Sequence, residues 1–99
     1  MILIRVIYRT RPGQRDSFVK ALIKEAIPAA TRQEPGNLAY DFSCAIDDPD
    51  VVYLVEQWES KEALLVHSKQ PMFRRLGELR EQLGVERELA VYQAERSSL

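Results

Sequence analysis

A carboxylate, a tryptophan and an imidazole follow one another in this chain at a spacing that suits proton transfer beside an aromatic ring: Glu56-Gln57-Trp58, then His67 nine residues after the tryptophan. On an extended strand Glu56 and Trp58 point to the same side. Free imidazole titrates near neutrality, so His67, the only histidine, is the candidate base or proton shuttle. Glu56 is the candidate orienter of that imidazole, because a buried carboxylate needs a polar partner. Tyr40 offers its hydroxyl as a further candidate polar partner of Glu56 in the cleft. Trp58, Tyr8, Met72 and Phe73 supply the walls of an aromatic cleft, and Arg9 is a further candidate contact for Glu56 or for a substrate. Each also has an ordinary explanation. Trp58, Phe73 and Met72 suit core packing, the tyrosines suit strands with their hydroxyls at a rim, Glu56 suits a cross-strand ion pair, and His67 suits a helix surface.

These residues need elements to hold them. Ile2 to Tyr8 is rich in β-branched and aromatic residues and stops at Thr10-Arg11-Pro12-Gly13, the pattern of a strand closed by a turn. Phe18, Leu22, Glu25/Ala26 and Ala29 then fall at helical spacing, with Pro28 expected to kink or restart the helix. Glu34-Pro35-Gly36-Asn37 ends it. Leu38, Tyr40, Phe42, Cys44 and Ile46 alternate as in a strand, Asp47-Asp48-Pro49-Asp50 is a turn, and Val51 to Trp58 alternates again, so the two strands form a hairpin. Ser60 is the expected cap of a short helix to about Lys69, Pro71 opens a second helix carrying Phe73, Leu76, Leu79 and Leu83, and Gly84 stops it. Val85 to Ala94 makes the last strand. Residues 1–96 read as one domain and 97–99 as a short polar tail.

Strand, helix, hairpin, helix, strand predicts an α+β, ferredoxin-like βαββαβ antiparallel sheet with helices on one face. Under the helices would lie Ile2, Ile4, Val6 and Tyr8, together with Tyr40, Cys44, Glu56 and Trp58. The second face would keep Leu3, Ile7, Val51, Tyr53, Val55 and either Leu89/Val91 or Ala90/Tyr92, apolar enough to call for a second copy packed sheet to sheet, a homodimer.

Composition narrows the functions. Fourteen Lys+Arg against fifteen Asp+Glu leave a formal charge of −1, without the positive field that gathers nucleic acid or anionic membrane. One cysteine, Cys44, and one histidine offer neither an internal disulfide nor a protein-only transition-metal site, and no glycine-rich loop resembles a phosphate cradle. Arg5 interrupts the apolar N-terminal run after four residues, which fits neither a signal peptide nor a membrane span, so a cytoplasmic protein is expected.

Glu34-Pro35-Gly36 followed by Tyr40, then Glu56-Gln57-Trp58, Glu62-Ala63-Leu64, His67 and Phe73, resembles the antibiotic biosynthesis monooxygenase family. That resemblance implies a dimeric α+β barrel of two ferredoxin-like subunits and oxygenation of quinols or polyphenolic aromatics by O2 without metal, flavin or other cofactor. Quinol-oxidising relatives often carry a second histidine where this chain has Met72. Haem-degrading relatives use an asparagine on the first strand, and the nearest counterpart here is Val6. A third branch isomerises a phosphorylated sugar derivative, and Arg5, Arg9 and Arg11 keep a phosphate-binding pocket open. The expected activity is therefore a cofactor-independent monooxygenase. A proton-shuttling isomerase of a small carbonyl compound and a non-catalytic dimeric ligand-binding or stress-response module are the alternatives.

Overall fold

A computed structural model describes residues 1–99. The elements follow one another as β1 (Ile2–Arg9), α1 (Arg15–Lys24), α2 (Ile27–Arg32), β2 (Asn37–Cys44), β3 (Val51–Trp58), α3 (Lys61–His67), α4 (Pro71–Leu83) and β4 (Glu86–Gln93). The strands form one antiparallel sheet in the order β2-β3-β1-β4, the ferredoxin-like arrangement. No helix is long and apolar enough to cross a membrane.

Local chemistry explains the breaks between helices. Ala26 stands in the left-handed region at φ 54°, and the chain restarts as α2 with Pro28 in its first turn, where a missing N–H costs no helix bond. Ile27 and Thr31 then carry the buried stripe that Phe18 and Leu22 begin. On the other side of the hairpin, the Ser60 hydroxyl accepts from the Ala63 N–H at 3.1 Å and starts α3. Pro71 opens α4, and Gly84 ends it at φ 65°. Arg75 of α4 holds Glu25, just past α1, in a two-pronged ion pair that ties the two helical segments together over the sheet.

The core lies between the helices and the even-numbered face of β1. Ile2, Ile4, Val6 and Tyr8 are buried there with Phe18, Leu22, Ile27, Tyr40, Leu54 and Trp58. Strand register decides what joins them. Ile4 faces Glu56 on one side and Val91 on the other, while Val6 faces Leu54 and Leu89. Leu89 and Val91 therefore belong to the helix side, and Ala90 and Tyr92 to the open side.

The structure corrects four strand assignments. A bulge between Asn37 and Ala39 leaves Leu38 unpaired and exposed, since one extra residue in β2 breaks the alternation. The strand ends at Cys44, so Ile46 belongs to the turn and is fully exposed. Cys44 pairs with the buried Val52 on the helix side but is itself exposed, because it ends an edge strand where α1 and α2 leave a shallow groove. Val51, expected on the open face, is buried: the Ala45 N–H and the Arg15 guanidinium both bond to its carbonyl, and the hairpin folds over it. Leu3, Ile7, Tyr53, Val55, Ala90 and Tyr92 remain on the uncovered face, with Tyr53 36%, Val55 39% and Tyr92 50% exposed.

Candidate active site

Between the helix side of the sheet and helices α3 and α4 lies a cavity of about 470 Å³, within the range of small-molecule sites. Ile4, Val6 and Tyr8 of β1, Tyr40 of β2, Glu56 of β3 and Leu89 and Val91 of β4 form its floor. His67, Phe73, Leu76 and Arg80 come from the helices above.

His67 ends α3, whose four-residue spacing from Ala63 turns the imidazole toward the sheet. The ring is 3% exposed and enclosed by aromatics. Its centroid lies 4.5 Å from that of Trp58, 5.3 Å from Phe73 and 6.0 Å from Tyr40. The polar partner is one that strand periodicity does not point to: Nδ1 is 2.9 Å from Oε1 of Glu34, in the turn before β2. An ionised carboxylate only accepts, so Nδ1 is the donor to Glu34, and in the neutral imidazole the lone pair is then on Nε2. Nε2 in turn lies 3.9 Å from Oε1 of Glu56, too long for a hydrogen bond. Glu34, not Glu56, is thus the group that orients His67.

Glu56 has its own partner. The Trp58 indole N–H donates to Glu56 Oε1 at 3.0 Å, both side chains pointing to the helix side as alternate residues of one strand must. Burial raises the Glu56 carboxyl above the ordinary carboxylate range, against the opposing pull of the Trp58 hydrogen bond and of His67. Because the native state holds this proton more tightly than the unfolded chain, it binds more protons between the two pKa values, and stability falls as pH rises through that window. Glu56→Gln keeps an acceptor for Trp58 and removes the charge. It should therefore raise the melting temperature relative to wild type more at pH 8 than at pH 4, and an equal shift at both would show that Glu56 is not strained by burial.

Burial likewise pushes the Tyr8 and Tyr40 hydroxyls up from their ordinary value, which keeps both as neutral donors at physiological pH. The expected aromatic walls divide. Tyr8, Tyr40 and Phe73 line the cavity, whereas Trp58 is fully buried behind His67 and Met72 packs against the core beside it. Trp58 therefore braces the imidazole and holds Glu56 instead of stacking on a ligand. Arg9 is not part of the site. As an odd-numbered residue of β1 it points to the open face, where it approaches Glu88 at 3.8 Å. Arg5 shares that face and Arg11 lies against Gly84, so none of the three arginines expected to serve a phosphate lines the cavity. Two other arginines do, Arg80 and Arg87.

Gly36 places Glu34. It sits at φ 81°, where a side chain is strained, and a Cβ there would come within 2.5 Å of Ala63 Cβ on α3. The turn thus rests directly on the helix that carries His67. Gly36→Ala should cost about 1–3 kcal/mol in urea unfolding and move Glu34 off the imidazole. A fully stable variant with an unaltered His67 imidazole NMR signal would rule this out.

The sequence profile of the antibiotic biosynthesis monooxygenases matches residues 1–79, the segment that carries Glu34, Tyr40, Glu56, Trp58 and His67. The chain belongs to that family. No protein of curated function shows a significant sequence match. Solved structures share the family's fold. A protein of Deinococcus radiodurans named for the same family superposes with a TM-score of 0.88 at 22% identity, over 98% of this chain and 95% of that one. A conserved protein of unknown function from Bacteroides thetaiotaomicron gives 0.82 at 25% identity, over 92% and 94%. A single-substitution variant of SnoaB, a cofactor-independent oxygenase from Streptomyces nogalater, gives 0.77 at 16% identity, over 98% and 96%. At these identities the superpositions speak for the fold alone. What this antibiotic biosynthesis monooxygenase family member adds is its own arrangement: an imidazole held by a turn carboxylate over an aromatic cavity.

Proposed function

We propose that this protein is a cofactor-independent monooxygenase that oxidises a quinol or polyphenolic aromatic with O2, as a homodimer. The observation that carries the reading is the Glu34–His67 pair, which leaves Nε2 as a base at the wall of an apolar, aromatic cavity. Nε2 takes the phenolic proton, and Tyr40 donates to the oxygen that becomes anionic. The electron-rich phenolate passes one electron to O2, and the resulting radical pair joins through a ring carbon to give a hydroperoxide. Loss of the proton on that carbon with cleavage of the O–O bond leaves a quinone carbonyl and releases the second oxygen as water. Phenol plus O2 thus becomes quinone plus water, the substrate supplying every electron. The protein contributes proton transfer, orientation and exclusion of water, terms of about 10²–10⁴-fold for the acid–base part.

Oxygen-electrode measurements in metal-free buffer with a panel of di- and trihydroxylated aromatics test this, together with ¹⁸O2 labelling of the product. One labelled oxygen per quinone supports the mechanism. No oxygen uptake across the panel overturns it and favours a proton-shuttling isomerase in the same cavity, or binding without turnover.

Support for the homodimer comes from the open face, where Tyr53, Val55 and Tyr92 stand half-exposed beside Leu3 and Ile7. Val55 faces Arg5 on β1 and Asp41 on β2, near the middle of the sheet. Val55→Asp would bury a carboxylate between the sheets beside Asp41, with Arg5 as its one cross-strand counter-charge, and should weaken or dissociate the dimer in sedimentation. Wild-type protein that sediments as an 11.4 kDa species at micromolar concentration defeats the homodimer outright.

A further inference from the structure

The cavity is polar at two places, and they differ in sign. Glu34, Glu56 and His67 cluster at one end, where Glu56 faces Ile4 of β1. Arg87 faces Tyr8, four residues further along the same strand, or about 13 Å in strand rise. Arg80 reaches the same end from α4. The ion pairs of the chain engage Arg9, Arg32, His67 and Arg75, and neither Arg80 nor Arg87 has a carboxylate partner. Arg80 Nε is buried without any hydrogen-bond partner. A buried guanidinium N–H without a partner, beside the second positive charge of Arg87, is costly unless something negative completes it.

Resting on the monooxygenase reading for the identity of the opposite end, we propose that Arg80 and Arg87 form an anion subsite that holds an oxyanion, a carboxylate or a phosphate, on the far end of the aromatic substrate. The Tyr8 hydroxyl is the third donor. Guanidinium groups suit this task because they present paired N–H donors to two oxygens at once. The resulting substrate is amphipathic along its length: a phenolic hydroxyl at His67, an apolar ring system against Val6, Leu76 and Leu89, and an anionic group at Arg80 and Arg87. Burial and the adjacent Arg87 charge both lower the Arg80 guanidinium from its ordinary value, and a bound anion relieves both effects.

Equilibrium calorimetry with ligands that resist oxidation tests the subsite without turnover. The probes are 6-hydroxy-2-naphthoate, 6-hydroxy-2-naphthyl phosphate and the neutral 2-naphthol. At low salt at least one anionic probe should bind about tenfold or more tightly than 2-naphthol, and the tighter of the two identifies carboxylate or phosphate. That preference should shrink in Arg87→Gln, vanish in the Arg80→Gln/Arg87→Gln double variant and weaken with added salt in the wild type. If the double variant does not fold, Arg87→Gln, whose side chain is exposed, and the salt series decide alone. Equal affinity for all three probes, a preference untouched in Arg87→Gln, or no binding at millimolar concentration overturns the subsite. Its failure is separable from that of the monooxygenase reading: anion preference without oxygen uptake by any quinol retains the subsite and removes the oxygenase. Oxygen uptake with neutral quinols and no anion preference does the reverse.

Discussion

On the proposed oxygenase mechanism, His67→Ala should lower the rate of oxygen uptake by about 10²-fold or more while the protein stays folded, because it removes the group assigned to take the phenolic proton. The imidazole owes that role to three contacts: Glu34 on Nδ1, Trp58 across its face and Phe73 at its edge. Glu34→Gln separates orientation from charge. The amide still accepts from Nδ1 through its oxygen, but it no longer stabilises the imidazolium that forms when Nε2 takes a proton. Its loss should appear chiefly in kcat, with a smaller drop than that of His67→Ala. Folding is checked by circular dichroism and substrate binding by calorimetry under nitrogen. A folded His67→Ala protein with full activity would remove the imidazole from the mechanism, and a silent Glu34→Gln would remove its orienter.

Trp58→Ala should destabilise the fold by about 3–5 kcal/mol. The side chain is fully buried, packs against His67 and supplies the hydrogen bond of a buried carboxylate. Two losses therefore coincide: a cavity opens in the core, and Glu56 is left without its donor. Trp58→Phe distinguishes them, since it preserves most of the volume and removes only the N–H. Its cost should be about 1–3 kcal/mol, the usual penalty for leaving a buried polar group unsatisfied. Urea unfolding reads both. If Trp58→Phe were as damaging as Trp58→Ala, the hydrogen bond to Glu56 would outweigh packing at this position, and the account of Trp58 as a brace would need to be reversed.

Trp58 also marks a distinction between family resemblance and site geometry. The Glu-x-Trp spacing followed by His67 is the most distinctive stretch of the sequence, yet its three residues do not act as one hydrogen-bonded relay. Glu56 is tied to Trp58 at 3.0 Å, while His67 is tied to Glu34 at 2.9 Å. The 3.9 Å gap between Glu56 and His67 leaves the two pairs adjacent and electrostatically coupled. A ligand entering the cavity meets Glu56, whose carboxyl burial raises above the ordinary carboxylate range, beside the imidazole that Glu34 orients.

Much of the fold was legible in the amino-acid sequence because its determinants are local. The restart at Pro28, the Ser60 cap, the opening at Pro71 and the stop at Gly84 depend on dihedral limits and orphan N–H groups that each residue carries with it. The even-numbered face of β1 was readable for the same reason, a period of two that admits a single buried side. From those elements the α+β architecture followed, and so did the company of Tyr40, Glu56 and His67 under one set of helices, while the family was legible separately, as a resemblance carried by Glu34-Pro35-Gly36, Glu56-Gln57-Trp58 and His67. What only the tertiary structure decided was whatever depends on register and on where loops come to rest. The bulge at Leu38 and the choice of Leu89 and Val91 over Ala90 and Tyr92 follow from pairing between strands distant in sequence. Arg9 was lost to the open face by the same alternation that put Tyr8 inside. Glu34 reached His67, and Arg80 reached Arg87, because turns and helix ends converge across the sheet, and no periodicity along the chain encodes the direction of a side chain in a turn.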